Sequence, residues 1–282
     1  MKAQNMEKNK TVDAIVLHEC NAAKTSACIE SLKAQSKKPN KIFVVNNCAE
    51  NLFYAKGIVL INAGKNIGAA AGRNLAAGQS KASFLLFVDN DAVLDKDCLK
   101  RLLESICSGE GIAAVSSVVF DSASEKIWFS GGTINNFSLE TAHSAKAIES
   151  DCETEYAPTT CLLVKKSVFD SLGGFDGRFF VYFEDTDFCL RLRKRFRIVV
   201  AAKARAFHEF SESKEKAGRR AFFFARNKIL LAKKSFSIPR LIVFLCFFPT
   251  VGIVKNFFSF VSMKKPGLFV QHLKGVLSGI AE

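Results

Sequence analysis

The chain has 282 residues, 49% hydrophobic and 24% charged, enough to bury a full core and longer than a typical domain of roughly 100 to 200 residues. One large α/β domain with an appendage is the expected plan. Forty Lys and Arg against 27 Asp and Glu give a formal charge of +13, which favours anionic partners: phosphorylated ligands, acidic lipid or nucleic acid. Nine cysteines run from Cys20 to Cys246 without a C-x-x-C pair, so neither a disulfide framework nor a zinc knuckle is indicated, and a reducing cytosol is the expected compartment. The start, MKAQNMEKNKTV, lacks an apolar h-region, and residues 1–11 read as a polar, disordered lead-in.

In chain order, VDAIVLHE predicts a short buried strand, and KTSACIESLKAQS a helix with Ala27, Ile29 and Leu32 spaced along one face. NKIFVVNN and IVLINAG are two further strands, NIGAAAGRNLAAGQS a small-residue helix, and SFLLFV a fully apolar strand. Strands alternating with helices imply parallel pairing with helices on both faces. After a helix over DKDCLKRLLESI, the segments IAAVSSVVF and KIWFSGGTI predict strands of a second, more mixed sheet. TTCLLVKKSVFDSLGGF adds a strand and a short helix, EDTDFCLRLRKR a helix, RIVVAAKARAFHEF a strand leading to His208, and RRAFFFARNKILLAKK a basic amphipathic helix.

From Ser237 the chain turns dense in Phe, Ile and Val, but Arg240, Pro249 and Lys255 interrupt it before the ~20 apolar residues that a bilayer span requires. Residues 237–282 are therefore expected to form a helical extension lying on an acidic membrane surface, with aromatics in the interface and Lys and Arg at the headgroups. Packing of the same helices on the main domain or on another subunit is the alternative.

In parallel α/β sheets, ligands sit beyond the carboxyl ends of the strands. His18 and Glu19, Asn46 and Asn47, and Asp89, Asn90 and Asp91 follow three of the predicted strands and are expected to converge on one crevice. Residues i and i+2 of an extended segment project to one side, so Asp89 and Asp91 are placed to share a hard divalent cation, which in turn holds a diphosphate. The plainer reading is a strand end with turn and capping residues. Gly68 and Gly72 let backbone approach a ligand or a strand closely, and beside them Arg73 carries a guanidinium suited to phosphate. Glu184, Asp185 and Asp187 begin a helix; the helix dipole and Arg191, four residues on, account for Asp187. Glu184 and Asp185 need a cation or a proton nearby, which makes Asp185 a candidate base. His208 is either a half-buried structural histidine or a third ligand to the carboxylate-held metal.

These pieces in this order resemble glycosyltransferase family 2, the inverting enzymes of GT-A fold, and especially its rhamnosyltransferase-like and galactofuranosyltransferase-like branch. The matching stretches, between Val12 and Lys234, are CNAAKTSACIESLKAQS, IFVVNN, NIGAAAGRN, FVDNDA, GGFDGRFFVYFEDTDFCLR, AFHEF and ARN. The resemblance implies a mostly parallel central sheet flanked by helices over residues 12–236. It makes Asp89 and Asp91 the D-x-D that binds the nucleotide-sugar diphosphate through Mn2+ or Mg2+, with His208 completing the metal site. Asp185 becomes the catalytic base and Glu184 helps to place the acceptor; His18, Glu19, Asn46, Gly68, Arg73 and Asn90 lie along the donor. The implied donor is a UDP-, dTDP- or GDP-sugar, the acceptor a glycan or lipid-linked glycan of cell-envelope polysaccharide, and the location the cytoplasmic face of the membrane. Two departures stand out: Asn46 takes the place of the usual nucleobase-contacting aspartate, and His18 and Glu19 stand where Thr or Tyr is commoner. The rival expectation is a catalytically silent, membrane-attached nucleotide-sugar-binding or scaffold protein of the same fold. Nucleic acid is set aside, because the basic residues gather in RLRKRFR, KEKAGRR and the C-terminal part, away from any RNA-binding motif.

Overall fold

The computed structural model describes residues 10–48, 53–209, 214–248 and 265–282. The lead-in expected over residues 1–11 falls almost wholly outside them, as do Pro249 and Lys255. The chain divides into two compact units: residues 1–134, 141–180 and 184–210 form the first, and residues 135–140, 181–183 and 211–282 the second.

In the first unit, β1 (Val12–His18), β2 (Lys41–Asn46), β3 (Val59–Asn62) and β4 (Phe84–Asp89) pair in parallel, in the order β3-β2-β1-β4. Parallel neighbours need a crossover between them; α1 (Ala22–Lys33) supplies the one from β1 to β2, and α2 (Ala69–Gln79) carries the chain from the edge strand β3 back to β4 beside β1. Alternate strand residues point to opposite faces. Val12, Ala14 and Val16 face Ile29 and Leu32 of α1 together with Leu99 and Leu102 of a later helix, all buried. On the other face Phe87 packs against Phe169 at 5.3 Å and Phe175 at 5.1 Å between ring centroids. The small residues of α2 let it sit close to the sheet, since a Cβ on Gly72 would come within 2.5 Å of the Leu17 Cδ1.

Beyond β4 come β5 (Ala92–Leu94), α3 (Cys98–Ile106), β6 (Ile112–Asp121), β7 (Ile127–Phe129), β8 (Gly132–Ile134), β9 (Thr141–His143) and β10 (Cys152–Thr154). They are followed by β11 (Cys161–Lys165), α4 (Lys166–Ser171), α5 (Glu184–Leu192) and β12 (Arg197–His208). The second mixed sheet expected for β6 and β7 does not form. β11 runs antiparallel between β4 and β6, through Leu162↔Phe87 and Leu163↔Val115, and so joins both halves into one ten-stranded sheet. Periodicity identifies a strand but not its neighbour, which is why the expected second sheet was wrong for these strands. β12 pairs parallel to β6 and antiparallel to β5 and β10, while β8 and β9 make a separate two-stranded ladder.

One cysteine pair departs from the expectation of free thiols: Cys20 and Cys48 are disulfide-bonded, with Cα atoms 5.4 Å apart. The parallel register that sets His18 opposite Asn46 brings the residues just past both strands side by side, a proximity hidden in the spacing of the cysteines along the chain.

The second unit contains α6 (Lys214–Ser235), a helical segment over 238–248, and α7 (Pro266–Ala281). α7 packs on α6 through glycines: a Cβ on Gly279 would lie 2.7 Å from the Arg226 carbonyl oxygen, and one on Gly275 would meet the Phe222 carbonyl. Asn227 of α6 donates from Nδ2 to the carbonyl oxygens of Val181 and Tyr182, both at 2.8 Å. No described helix is long and apolar enough to cross a membrane. Gly279→Ala is expected to force α7 away from α6 and cost about 1–3 kcal/mol, read as a lower urea midpoint, whereas Gly267→Ala, where nothing lies within 4 Å of the added atom, leaves the midpoint in place.

Candidate active site

The register of the parallel strands aligns their polar ends: His18 lies opposite Asn46, and Leu17 opposite Asp89. His18 is buried, with Nδ1 2.8 Å from the Thr25 hydroxyl and its ring 5.0 Å from that of Phe53. Glu19 is exposed. Asn46 is fully buried, and neither its Oδ1 nor its Nδ2 has a hydrogen-bond partner among the described residues. A buried amide left without partners costs roughly 1–3 kcal/mol. Asn47 accepts from the Ile67 N–H at 2.8 Å and holds the loop before Gly68. Gly68 has φ +85°, and a Cβ there would lie 2.5 Å from the Phe180 carbonyl oxygen, so both backbone and space demand glycine.

Asp91 and His208 meet because β5 and β12 pair with Ala92 opposite His208. The His208 Nε2 lies 3.0 Å from the Asp91 Oδ1. Burial works to raise the Asp91 pKa, but the hydrogen bond and charge of His208 outweigh it and leave the carboxyl below its ordinary value. Asp89, Asp91 and His208 each offer one ligand atom, all within 4.8 Å of one another. Two carboxylate oxygens and an imidazole nitrogen fit a divalent cation such as Mn2+ or Mg2+. Asn90, between the two aspartates, turns back to donate to the Thr25 hydroxyl at 3.1 Å.

Arg73, expected along a phosphate path, is engaged by acids in the structure. Its guanidinium lies between two carboxylates, with Nη2 2.7 Å from the Asp89 Oδ1 and Nη1 2.7 Å from the Glu184 Oε1. It is the cation that the acid-rich helix start required. Even so, burial and the neighbouring Asp185 charge push Glu184 up to about 7, against the pull of Arg73, and its Oε2 has no hydrogen-bond partner among the described residues. Burial also raises Asp185, although the Tyr156 hydroxyl donates to its Oδ2 at 2.7 Å and the Thr186 N–H to its Oδ1 at 2.7 Å. Asp187 is bound to Arg191 at 2.7 Å, the i,i+4 pair anticipated on this helix.

Two polar residues of the site escaped the sequence. Thr160 donates to the Asp89 Oδ2 at 3.0 Å, and Tyr156 holds Asp185. Both lie just ahead of β11, whose antiparallel course beside β4 delivers them, and no motif in ETEYAPTT marks that course.

The fold is the GT-A fold of glycosyltransferases. The crystal structure of GalNAc-T7 with UDP, GalNAc and Mn2+ superposes with a TM-score of 0.62 at 10% identity, over 79% of this chain and 51% of that one. S. aureus TarS superposes with a TM-score of 0.55 at 16% identity, over 79% and 39%. Residues 15–173, more than half of the chain, match Glycosyl transferase family 2, and the chain belongs to that family. It is 29% identical over 161 residues to the O-antigen biosynthesis protein RfbC of Myxococcus xanthus, and 24% identical over 192 residues to the uncharacterized glycosyltransferase YwdF of Bacillus subtilis (strain 168). These matches cover 50% and 66% of this chain, and 12% and 69% of the relatives.

Removing Arg73 strands Glu184 and Asp89 without their shared cation. Arg73→Met is therefore expected to destabilise the fold by about 3–5 kcal/mol, and adding Glu184→Gln to the same chain to recover part of the loss. Urea unfolding of the two single variants and the double variant measures both effects.

Proposed function

We propose that the chain is an inverting glycosyltransferase that moves a sugar from a nucleotide-diphosphate donor to an acceptor hydroxyl. The observation that carries this reading is one continuous charged network: Asp91–His208 and Asp89 on the cation-capable side, Arg73 in the middle, and Glu184 with its neighbour Asp185 on the other. Asp89, Asp91 and His208 would hold Mn2+ or Mg2+, which would supply positive charge for the diphosphate. Asn46, with its buried and unpartnered amide, faces the nucleobase, and its paired donor and acceptor match a base edge. Asp185 takes the proton from the acceptor hydroxyl as its oxygen bonds to the anomeric carbon and the bond to the diphosphate breaks. One displacement from the opposite face inverts that carbon, and no covalent enzyme intermediate forms. The raised pKa of Asp185 makes it a stronger proton acceptor than an ordinary aspartate. Glu184, held by Arg73, helps to place the acceptor.

The UDP and Mn2+ bound by GalNAc-T7 favour a UDP-sugar, with dTDP- and GDP-sugars as the alternatives, and the description of RfbC favours an acceptor of the polysaccharide class, glycan or lipid-linked glycan. A thermal-shift panel of UDP-, dTDP- and GDP-sugars, with Mn2+ or with chelator, is expected to single out one nucleotide that stabilises the protein only with metal. Asp91→Ala should lose that stabilisation. Asp185→Asn should keep it while abolishing sugar transfer, and a fully active Asp185→Asn protein would overturn the assignment of the base. A silent scaffold of the same fold would bind nucleotide and transfer nothing.

The second unit supports a reading of its own. Ile238 (76% exposed), Phe247 (59%) and Leu277 (68%) present bulky apolar side chains to solvent, and the same unit carries Lys233, Lys234, Lys265 and Lys274, a composition suited to the interface of an acidic bilayer. We infer peripheral attachment to such a surface. The protein should float with vesicles containing anionic lipid and stay behind with neutral ones, and Ile238→Glu with Phe247→Glu should abolish flotation; equal recovery with neutral vesicles would count against this attachment.

A further inference from the structure

An aromatic strip runs from the cation-capable cluster to the carboxylate of Asp185. Trp128 on β7 lies over His208 at 6.4 Å with a 24° interplanar angle, and meets His143 on β9 edge-on at 4.6 Å. His143 stacks on Tyr156 at 5.3 Å and 16°, and the Tyr156 hydroxyl donates to Asp185. Phe129 supports the strip from below, fully buried and edge-on to both His143 and Tyr156. The two ends differ in character: Tyr156 is buried, whereas His143 is exposed and Trp128 half-buried. Packing alone does not ask for an exposed histidine and a half-open indole along the line between two polar clusters.

We propose that Trp128 and His143 form a platform for the ring of the acceptor sugar, with Tyr156 orienting the base at its end. A pyranose or furanose ring carries C–H groups on one face and hydroxyls around its rim. Its C–H face packs on the electron-rich face of an aromatic ring, while the rim remains free for hydrogen bonds. A ring resting on this strip would turn its rim hydroxyls toward the Asp185 carboxylate, whose Oδ1 accepts from both the Thr186 N–H and the Thr186 hydroxyl and whose Oδ2 keeps a lone pair beyond the one given to Tyr156. The platform therefore selects a cyclic sugar acceptor over a linear polyol or a hydroxyl of a protein side chain. This proposal rests on Asp185 as the base, and its test separates the two.

Trp128 is the only tryptophan in the chain, so intrinsic indole emission reports on the platform alone. The full-length protein, loaded with Mn2+ and the nucleotide that stabilises it, is titrated with methyl α-L-rhamnopyranoside, methyl β-D-galactopyranoside and methyl β-D-glucopyranoside, and with sorbitol as the open-chain control. A saturable change in emission with at least one glycoside and none with sorbitol is expected. In His143→Ala the affinity for that glycoside should fall roughly three- to tenfold, the worth of one aromatic contact, while the metal-dependent nucleotide shift stays as in the wild type. Absence of any glycoside response in protein that still shows the nucleotide shift would overturn the platform and leave the transferase reading intact. So would a response to sorbitol equal to that of the glycosides, or an unchanged glycoside affinity in His143→Ala. A glycoside response without any nucleotide shift would keep the sugar site and remove the transferase reading.

Discussion

The site depends on one buried guanidinium. Asp89 ends β4 and Glu184 opens α5, and both point inward beside Asp185; three carboxylates gathered there repel one another and lose their hydration. Arg73 meets two of them at 2.7 Å each, and its planar, forked donors suit two carboxylates at once in a way that the single ammonium of lysine does not. The pair of contacts also joins elements far apart in sequence, so the acid pair at the start of α5 is fixed relative to the end of β4. Charge is balanced only in part. Burial and the Asp185 charge still push Glu184 up to about 7, against the pull of Arg73.

Around this core the sheet acts as a positioning frame. Strand register fixes which polar residues stand side by side, and the pairing of Asp91 with His208 in the cation-capable cluster follows from β5 lying against β12. The helices contribute mainly closeness: Gly72 lets α2 press on β1, and Gly68 makes room for the Phe180 carbonyl. Of the small residues in NIGAAAGRN, Gly72 packs against β1, while Gly68, just ahead of α2, holds a positive φ that favours glycine.

Much of this was legible in the chain itself. Alternation of apolar strands with helical segments predicted β1 to β4 with their helices, and the order of the motifs marked out Asp89, Asp91, Glu184, Asp185 and His208. What stayed hidden was pairing between distant segments. Nothing local in TTCLLVKK says that β11 will run antiparallel between β4 and β6, and for that reason Tyr156, Thr160 and the unity of the sheet were missed. Arg73 was noticed for its guanidinium, but its partners lie 16 and 111 residues away along the chain, beyond the reach of any periodicity. The Cys20–Cys48 bond was hidden for the same reason.

That bond gives the two edges of the site different chemistry. The loops after β1 and β2, next to His18 and Asn46, are tied by a covalent link, while the loops around Asp89 and Glu184 are tied by charge. A cross-link narrows the conformations open to a chain before any ligand arrives, so the edge beside the buried Asn46 amide is constrained by a bond as well as by its hydrogen bonds. The opposite edge answers to ions and protons. An electron pair delivered by a thiol reductant loosens the first edge and leaves the second untouched, so the two respond to separate features of the surroundings.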